Sequence, residues 1–246
     1  MPQALLEADF VRIAGSSRTN LKIVDDSGRL TELNELGPEI KPEEWQEMEQ
    51  KLSGYGLAGN IAVLSGSLPA GLGNETYQKL SAMLRRRGAA VFLDADGEAL
   101  KCALESAPDE VPDYIKPNTY ELLQYFGMTH ENNITEAKLA ELCQSLLRKG
   151  IKLVALSMGE AGALFVNNNG AWRSPALMIQ VRSTVGAGDS MTGALVYGFE
   201  QGLPDEQCFA LAMAASAGAC TTAGTNPPDR ELVQTLLAKT RMEKIA

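Results

Sequence analysis

From residue 61 onward the chain keeps one rhythm, in which short apolar runs are each followed by a stretch of helical period. "IAVLSG" precedes "TYQKLSAMLRRRG", "AVFLDA" precedes "GEALKCAL", "DYIKPN" precedes "TYELLQYF", and "ITEAKLAELCQSLLRKG" leads into "IKLVALS". Strands that alternate with helices predict a parallel sheet covered on both faces. "GALFVNNNGAWRSP" and "LMIQVRS" read as further strands, with a hairpin turn at 168–170, and three helices are expected near 189–201, 205–222 and 228–240. Before residue 61 the pattern differs. "FVRIAGSSRTNLKIVDDSGRLTELN" alternates apolar and polar residues around Gly, Ser and Asp-Ser-Gly turns, which predicts an antiparallel β-meander with one exposed face. "KPEEWQEMEQKL" predicts an amphipathic helix with Pro42 in its first turn. The expected architecture is one α/β domain with a small β-sheet appended on its N-terminal side.

Composition narrows the function. The chain has 246 residues, 45% hydrophobic and 22% charged, as in soluble globular proteins. A net charge of −9 disfavours nucleic acid or an anionic membrane surface as partner. Anionic small molecules stay open, because a backbone-lined pocket binds phosphate even on an acidic protein. Cys102, Cys143, Cys208 and Cys220 lack metal-ligand spacing and read as reduced thiols. No apolar run approaches the roughly 20 residues that span a bilayer, and "MPQALLEADF" lacks a signal pattern. A cytoplasmic location is expected. The one histidine, His130, lies in the polar stretch "MTHENN" and reads as a loop residue rather than a base.

The chemistry concentrates in "STVGAGDSMTGAL", residues 183–195. With "LMIQVRS" as a strand and "GDSMTGALVYGFEQG" as a helix, "TVGAG" is a strand-to-helix turn. Free N–H groups and the positive end of the helix dipole meet at such a turn, and glycine lets a phosphate approach. A P-loop would need lysine after Gly188, and the dinucleotide fingerprint would need glycine where Met191 stands. What remains is an anion cradle followed directly by Asp189. That pair suits phosphoryl transfer to an alcohol, with the carboxylate accepting the hydroxyl proton. Asp189 as a plain helix cap is the competing reading, and residue types alone leave the two open.

The segment "STVGAGDSMTGAL" resembles the C-terminal signature of the ribokinase-type (PfkB) carbohydrate kinases. "SGSLPAG" (65–71), "KPNTYE" (116–121) and "SMGEAGAL" (157–164) agree with the same family in order and spacing. "STVGAGDS", "SGSLP" and "SRTNLKI" are similar to its phosphofructokinase branch, especially the bacterial 1-phosphofructokinases. The resemblance implies a three-layer α/β/α ribokinase-like fold with a mostly parallel sheet, a β lid at 10–33 and a nucleotide-binding core at 61–246. It implies Asp189 as base, with Gly186, Ala187 and Gly188 as anion hole. It implies Asn118 and Glu121 near Mg²⁺, largely through water, and Ser157, Gly159, Ala215, Ser216, Gly218 and Asn226 around ATP. It implies Arg18, Asn20, Ser65 and Ser67 on the sugar phosphate, with Asp94 and Asp96 shaping the site. Local readings compete at several of these positions: Asn118 as a cap with Glu121 solvated, a plain turn at 157–159, close helix packing at 215–218, and Arg18 as a solvated charge.

Family members also carry an N-terminal βαβ portion with a Gly-Gly-Lys-Gly-x-Asn-like motif and a sugar-binding aspartate, and residues 1–60 match neither. An N-terminally short domain is therefore expected, with part of the sugar site missing. The activity implied is phosphorylation of fructose 1-phosphate by ATP to fructose 1,6-bisphosphate. Tagatose 6-phosphate or fructose 6-phosphate as substrate, and a nucleotide-binding remnant without turnover, stand as alternatives. A homodimer joined through the lid strands is the expected assembly.

Overall fold

The structure is a computed structural model that describes residues 7–24, 30–55, 58–128 and 134–245. His130 falls outside the described residues. The two strands β1 (Asn20–Val24) and β2 (Leu30–Asn34) pair antiparallel, placing Leu21 opposite Leu33. Residues 10–19 form no strand, so the expected meander is a two-stranded sheet. The chain bends at Ala14 and Gly15, where Gly15 takes φ +108°, and the Ser-rich run after it has no partner strand among the described residues. Helix α1 (Pro42–Tyr55) starts at its proline with Glu43 and Glu44 in the first turn, where the dipole favours carboxylates.

The main sheet contains β3 (Ile61–Ser65), β4 (Ala90–Asp94), β5 (Tyr114–Ile115), β6 (Leu153–Ser157), β7 (Ala163–Asn167), β8 (Gly170–Ser174) and β9 (Glu243–Lys244), side by side in chain order. Strands β3 to β6 are parallel, and each later neighbour pair is antiparallel. β8 therefore runs with β3–β6, while β7 and β9 run against them. Among the described residues, β3 pairs on one side only.

Alternation along the strands divides the core into two layers. Val91, Leu93, Val154, Leu156, Leu164 and Val166 face α2 (Thr76–Arg86), α3 (Gly97–Leu104), α4 (Thr119–Tyr125) and α5 (Glu136–Leu147). Phe92, Leu153, Ala155 and Phe165 face α6 (Ala187–Glu200) and α7 (Asp205–Cys220). Period-two side chains covered on both faces give the three-layer α/β/α arrangement. Phe165 stacks on Phe209 with centroids 4.7 Å apart, tying β7 to α7. Helix α8 (Arg230–Leu237) packs against α7 through Leu236.

Two local departures from the sequence pattern have physical causes. The segment "LMIQVRS" is not a strand. Its alternate residues Leu177 and Ile179 pack on the cluster of Ala214, Ala217 and Leu236 while Met178 is fully exposed, so helices rather than a neighbouring strand take up the alternation. β9 carries no strand-like pattern, yet it adds to β8 and is held by Ile245 N–H donating to Ala171 O at 2.8 Å. No helix among the described residues is long and apolar enough to cross a membrane. All four cysteines are free, and burial pushes the Cys143 and Cys208 thiols up to about 12.

Candidate active site

In a parallel sheet the carboxyl ends of the strands gather exposed loops and helix N-termini, and chemistry collects there. Here β3 ends at Ser65, β4 at Asp94, β5 just before Lys116, and β6 at Ser157. A cleft of about 230 Å³ opens over these ends, lined by Ser65, Ser67, Asp94, Asp96, Glu121 and Asp189 among others. A larger cleft of about 350 Å³ runs beside β3 and α1 among Leu52, Tyr55, Ile61 and Val63. Its lining is mainly apolar, so the smaller cleft is the one equipped for group transfer.

Each wall is fixed by local bonds. The loop after β3 turns at Gly66, with φ +97°, and Tyr77 Oη donates to the Ser65 and Gly66 carbonyls at 3.1 and 2.7 Å. Asn118 caps α4 in a capping box. Its Oδ1 accepts from Glu121 N–H at 2.9 Å, and Glu121 Oε2 accepts from Asn118 N–H at 2.8 Å. Asn118 Nδ2 also donates to Glu121 Oε1 at 2.6 Å. Burial pushes the Glu121 carboxyl above its ordinary range, the Asn118 amide and Lys116 pull it back, and Asp94 and Asp96 push it further up. The cap and a metal-facing role are compatible, because a carboxylate oxygen keeps a lone pair after accepting one bond.

The donors around the cleft are oxygens. Among the described residues no group of three or more His, Cys, Asp or Glu makes a cage for a metal by itself. That set fits Mg²⁺, which keeps its waters and takes one or two carboxylates together with substrate phosphates. Glu121, with Asn118 ordering it, is the residue that could hold such an ion.

Helix α6 begins differently from the spacing's expectation at residue 189. Gly186 is the N-cap, in the left-handed region at φ +79°, with no side-chain cap bond. Asp189 is thus the third helical residue rather than the cap, and it is solvent-exposed. The first bond of the helical ladder runs from Ser190 N–H to Gly186 O at 2.9 Å, and the Ala187 amide turns to Thr184 O at 3.4 Å. The amides of Gly188 and Asp189 precede the ladder as orphan donors, and Asp189 lines the cleft.

Behind this turn sits a group that the motif reading passed over. Lys116 is 7% exposed, and its Nζ lies 3.1 Å from Asp94 Oδ1. Asp94 also lies 3.5 Å from Thr192 Oγ1 of α6. Burial pushes the Asp94 carboxyl up, Lys116 pulls it down, and the charge of Asp189 pushes it up again. A lysine directly after a strand in the middle of the sheet was the available signal, because few cations are buried without a task.

The cleft therefore unites Asp189, Ser65, Ser67 and Glu121, with Asn118 at its edge. Arg18, just before the two-stranded sheet, and Asn20, at the start of β1, are exposed and are not among the residues lining the cleft. Ser157 is half-buried where its amide donates to Pro117 O at 3.0 Å, and Gly159 turns at φ +57°. Ala215 and Gly218 are buried in α7, Ser216 is half-buried, and Asn226 is exposed with its amide donating to Ala223 O at 3.0 Å. A Cβ at Gly218 would meet Pro228 Cβ at 2.8 Å, so this glycine serves close packing between α7 and the 226–229 loop.

The model for pfkB family carbohydrate kinases matches residues 2–232. The chain belongs to the pfkB family of carbohydrate kinases. The 1-phosphofructokinase of Haemophilus influenzae is 37% identical to this pfkB chain over 98% of its length and 75% of the relative's. That of Escherichia coli is 33% identical over 95% of this chain and 73% of its own. Among solved structures, phosphofructokinase-2 from Escherichia coli in complex with potassium superposes with a TM-score of 0.82 at 27% identity, covering 92% of this chain and 71% of that one. The pfkB match spans both the two-stranded sheet and the strand-end cleft.

Proposed function

We propose that this pfkB kinase transfers the γ-phosphoryl group of ATP to the 6-hydroxyl of fructose 1-phosphate, giving fructose 1,6-bisphosphate and ADP. The observation that carries the reading is Asp189 beside the orphan amides of α6, in one cleft with Ser65, Ser67 and Glu121. The hydroxyl oxygen attacks the γ-phosphorus in line as the bond to the β–γ bridging oxygen breaks. Asp189 takes the hydroxyl proton, and the amides of Gly188 and Asp189, with the turn formed by Gly186 and Ala187, steady the charge on the phosphoryl oxygens. Mg²⁺, when bound, neutralises the nucleotide phosphates. In this reading Glu121 and Asn118 orient that end, Ser65 and Ser67 hydrogen-bond the sugar phosphate, and Arg18 and Asn20 reach it from the lid. Ser157, Gly159, Ala215, Ser216 and Asn226 are assigned to the nucleotide, with Gly218 shaping the wall behind them.

Relatives named 1-phosphofructokinase support fructose 1-phosphate over the fructose 6-phosphate and tagatose 6-phosphate alternatives. An ADP-release assay with all three sugar phosphates tests this. Turnover should be greatest with fructose 1-phosphate and vanish in Asp189→Asn. ATP binding without turnover on any of the three would overturn the reading in favour of a nucleotide-binding remnant.

A further inference from the structure

The turn after β3 carries Ser65, Gly66 and Ser67 into the cleft, and all three are exposed. It is tied at its two ends. Gly66 N–H donates to Asp94 O at 3.3 Å, and Ala70 O accepts from Ile40 N–H at 2.8 Å. Its middle rests on a side chain from α2. Tyr77 is buried in the core cluster that includes Leu64 and Leu80, where phenylalanine would fill the same space with no polar atom to satisfy. The hydroxyl serves the turn instead, its proton shared between the Gly66 carbonyl at 2.7 Å and the Ser65 carbonyl at 3.1 Å. Burial, and then the charges of Asp94 and Asp96, push the phenol above its ordinary range, so it remains a donor. Two carbonyls turned inward decide where the amides go. In a trans peptide the N–H lies opposite the carbonyl, so the Ser67 N–H points away from the phenol, at a residue that lines the cleft. Gly66, at φ +97°, lets that peptide plane take more than one orientation, and a Cβ there would meet nothing within 4 Å. Glycine supplies the freedom, and Tyr77 removes it.

We propose that Tyr77 is a positioning residue for sugar-phosphate recognition: by holding the Ser65 and Gly66 carbonyls inward, it fixes the Ser67 amide and the Ser65 and Ser67 side chains for the anionic group. This rests on the reading that the turn receives the sugar phosphate. The competing account is a hydrogen bond that serves the fold alone. Tyr77→Phe keeps the ring and removes one oxygen, a loss that is small against the stability of a domain. The readouts are the calorimetric Kd for fructose 1-phosphate, the KM values for it and for MgATP, and the thermal midpoint. Kd and KM for fructose 1-phosphate should rise about 3- to 10-fold, the size of one hydrogen bond, with KM for MgATP unchanged. A lowered midpoint with wild-type sugar affinity would overturn the proposal, as would equal rises in the two KM values. Because Tyr77 acts through this turn, adding Ser67→Ala should weaken sugar binding by less than the product of the two single losses; losses that multiply in full would count against it. If Tyr77→Phe does not fold, Gly66→Ala strains the same peptide plane without touching the core and must show the same selective loss. Wild-type sugar affinity in that variant would refute the idea. A wild type that binds fructose 1-phosphate without turnover would sink the proposed reaction alone, since the Kd needs no ATP, whereas one that binds none of the three sugar phosphates would overturn both.

Discussion

Asp189 stands three residues past the N-cap of α6, exposed to solvent, and neither caps the helix nor fills the core. Its substitution should separate activity from stability. Asp189→Asn is expected to reduce turnover by at least about 10²–10⁴. The thermal midpoint should stay within what a surface change of roughly ±0.5 kcal/mol produces. A large fall in the midpoint would mean the carboxylate is part of the scaffold. At this scale the sequence displayed the acid and its glycine turn, because both are consecutive in the chain. The cap at Asn118 was likewise readable, whereas Glu121, read locally as solvated, is half-buried and closes the same capping box. Lys116 was not singled out, because its partner Asp94 lies one strand away and its neighbour Gly188 lies over a helix. Only the sheet brings them together.

Between elements, the tightest crossing is that of α6 on α7. A methyl at Gly198 would run into Cys208 Sγ and lie 3.2 Å from Cys208 Cβ. Gly198→Ala should cost about 1–3 kcal/mol by overpacking. Adding Cys208→Ala should recover part of that loss, and a double-mutant cycle in urea measures the coupling. Additive losses would show that the helices do not meet there. The bond between β8 and α5 gives a pH signature. Arg173 donates to Glu136 from Nε at 2.9 Å and from Nη2 at 3.0 Å, and holds its carboxyl below the ordinary 4.5. A depressed carboxylate stabilises the fold above its unfolded value and loses that contribution as pH falls through its folded value. Because the pair is partly solvated, Glu136→Gln should cost no more than about 1 kcal/mol at pH 7, and the difference should fade below pH 4.5. A difference constant down to strongly acidic pH would refute the pairing. The helices were legible because their faces are amphipathic or capped. The 177–183 segment was misread because alternation reports a half-buried extended chain without saying what covers it.

At the scale of the molecule, the strand–helix alternation sufficed to foresee a layered α/β core. The order of the sheet and the antiparallel turn at β7 depend on pairings that no single segment encodes. The two-stranded sheet exposes Leu21, Ile23 and Leu33, each about half accessible. A two-stranded sheet is marginally stable alone, and we propose that the dimer expected from the sequence forms through this face. Sedimentation at micromolar concentration should give a dimer, and Leu21→Glu with Leu33→Glu should give a monomer with α/β circular dichroism intact. A monomeric wild type would remove the proposal. The strand order has one more consequence, for biogenesis. With neighbours in space equal to neighbours in chain, each strand released by the ribosome meets a growing edge laid down moments earlier. Pairing of β3 to β6 thus involves no strand synthesised later, and the floor carrying Ser65, Asp94, Lys116 and Glu121 is expected to pair first, its second face waiting for α6 and α7. The glycine turn emerges afterwards and closes onto a prepared bed, so an arrested nascent chain ending before residue 183 would hold the floor without the group that binds the phosphoryl.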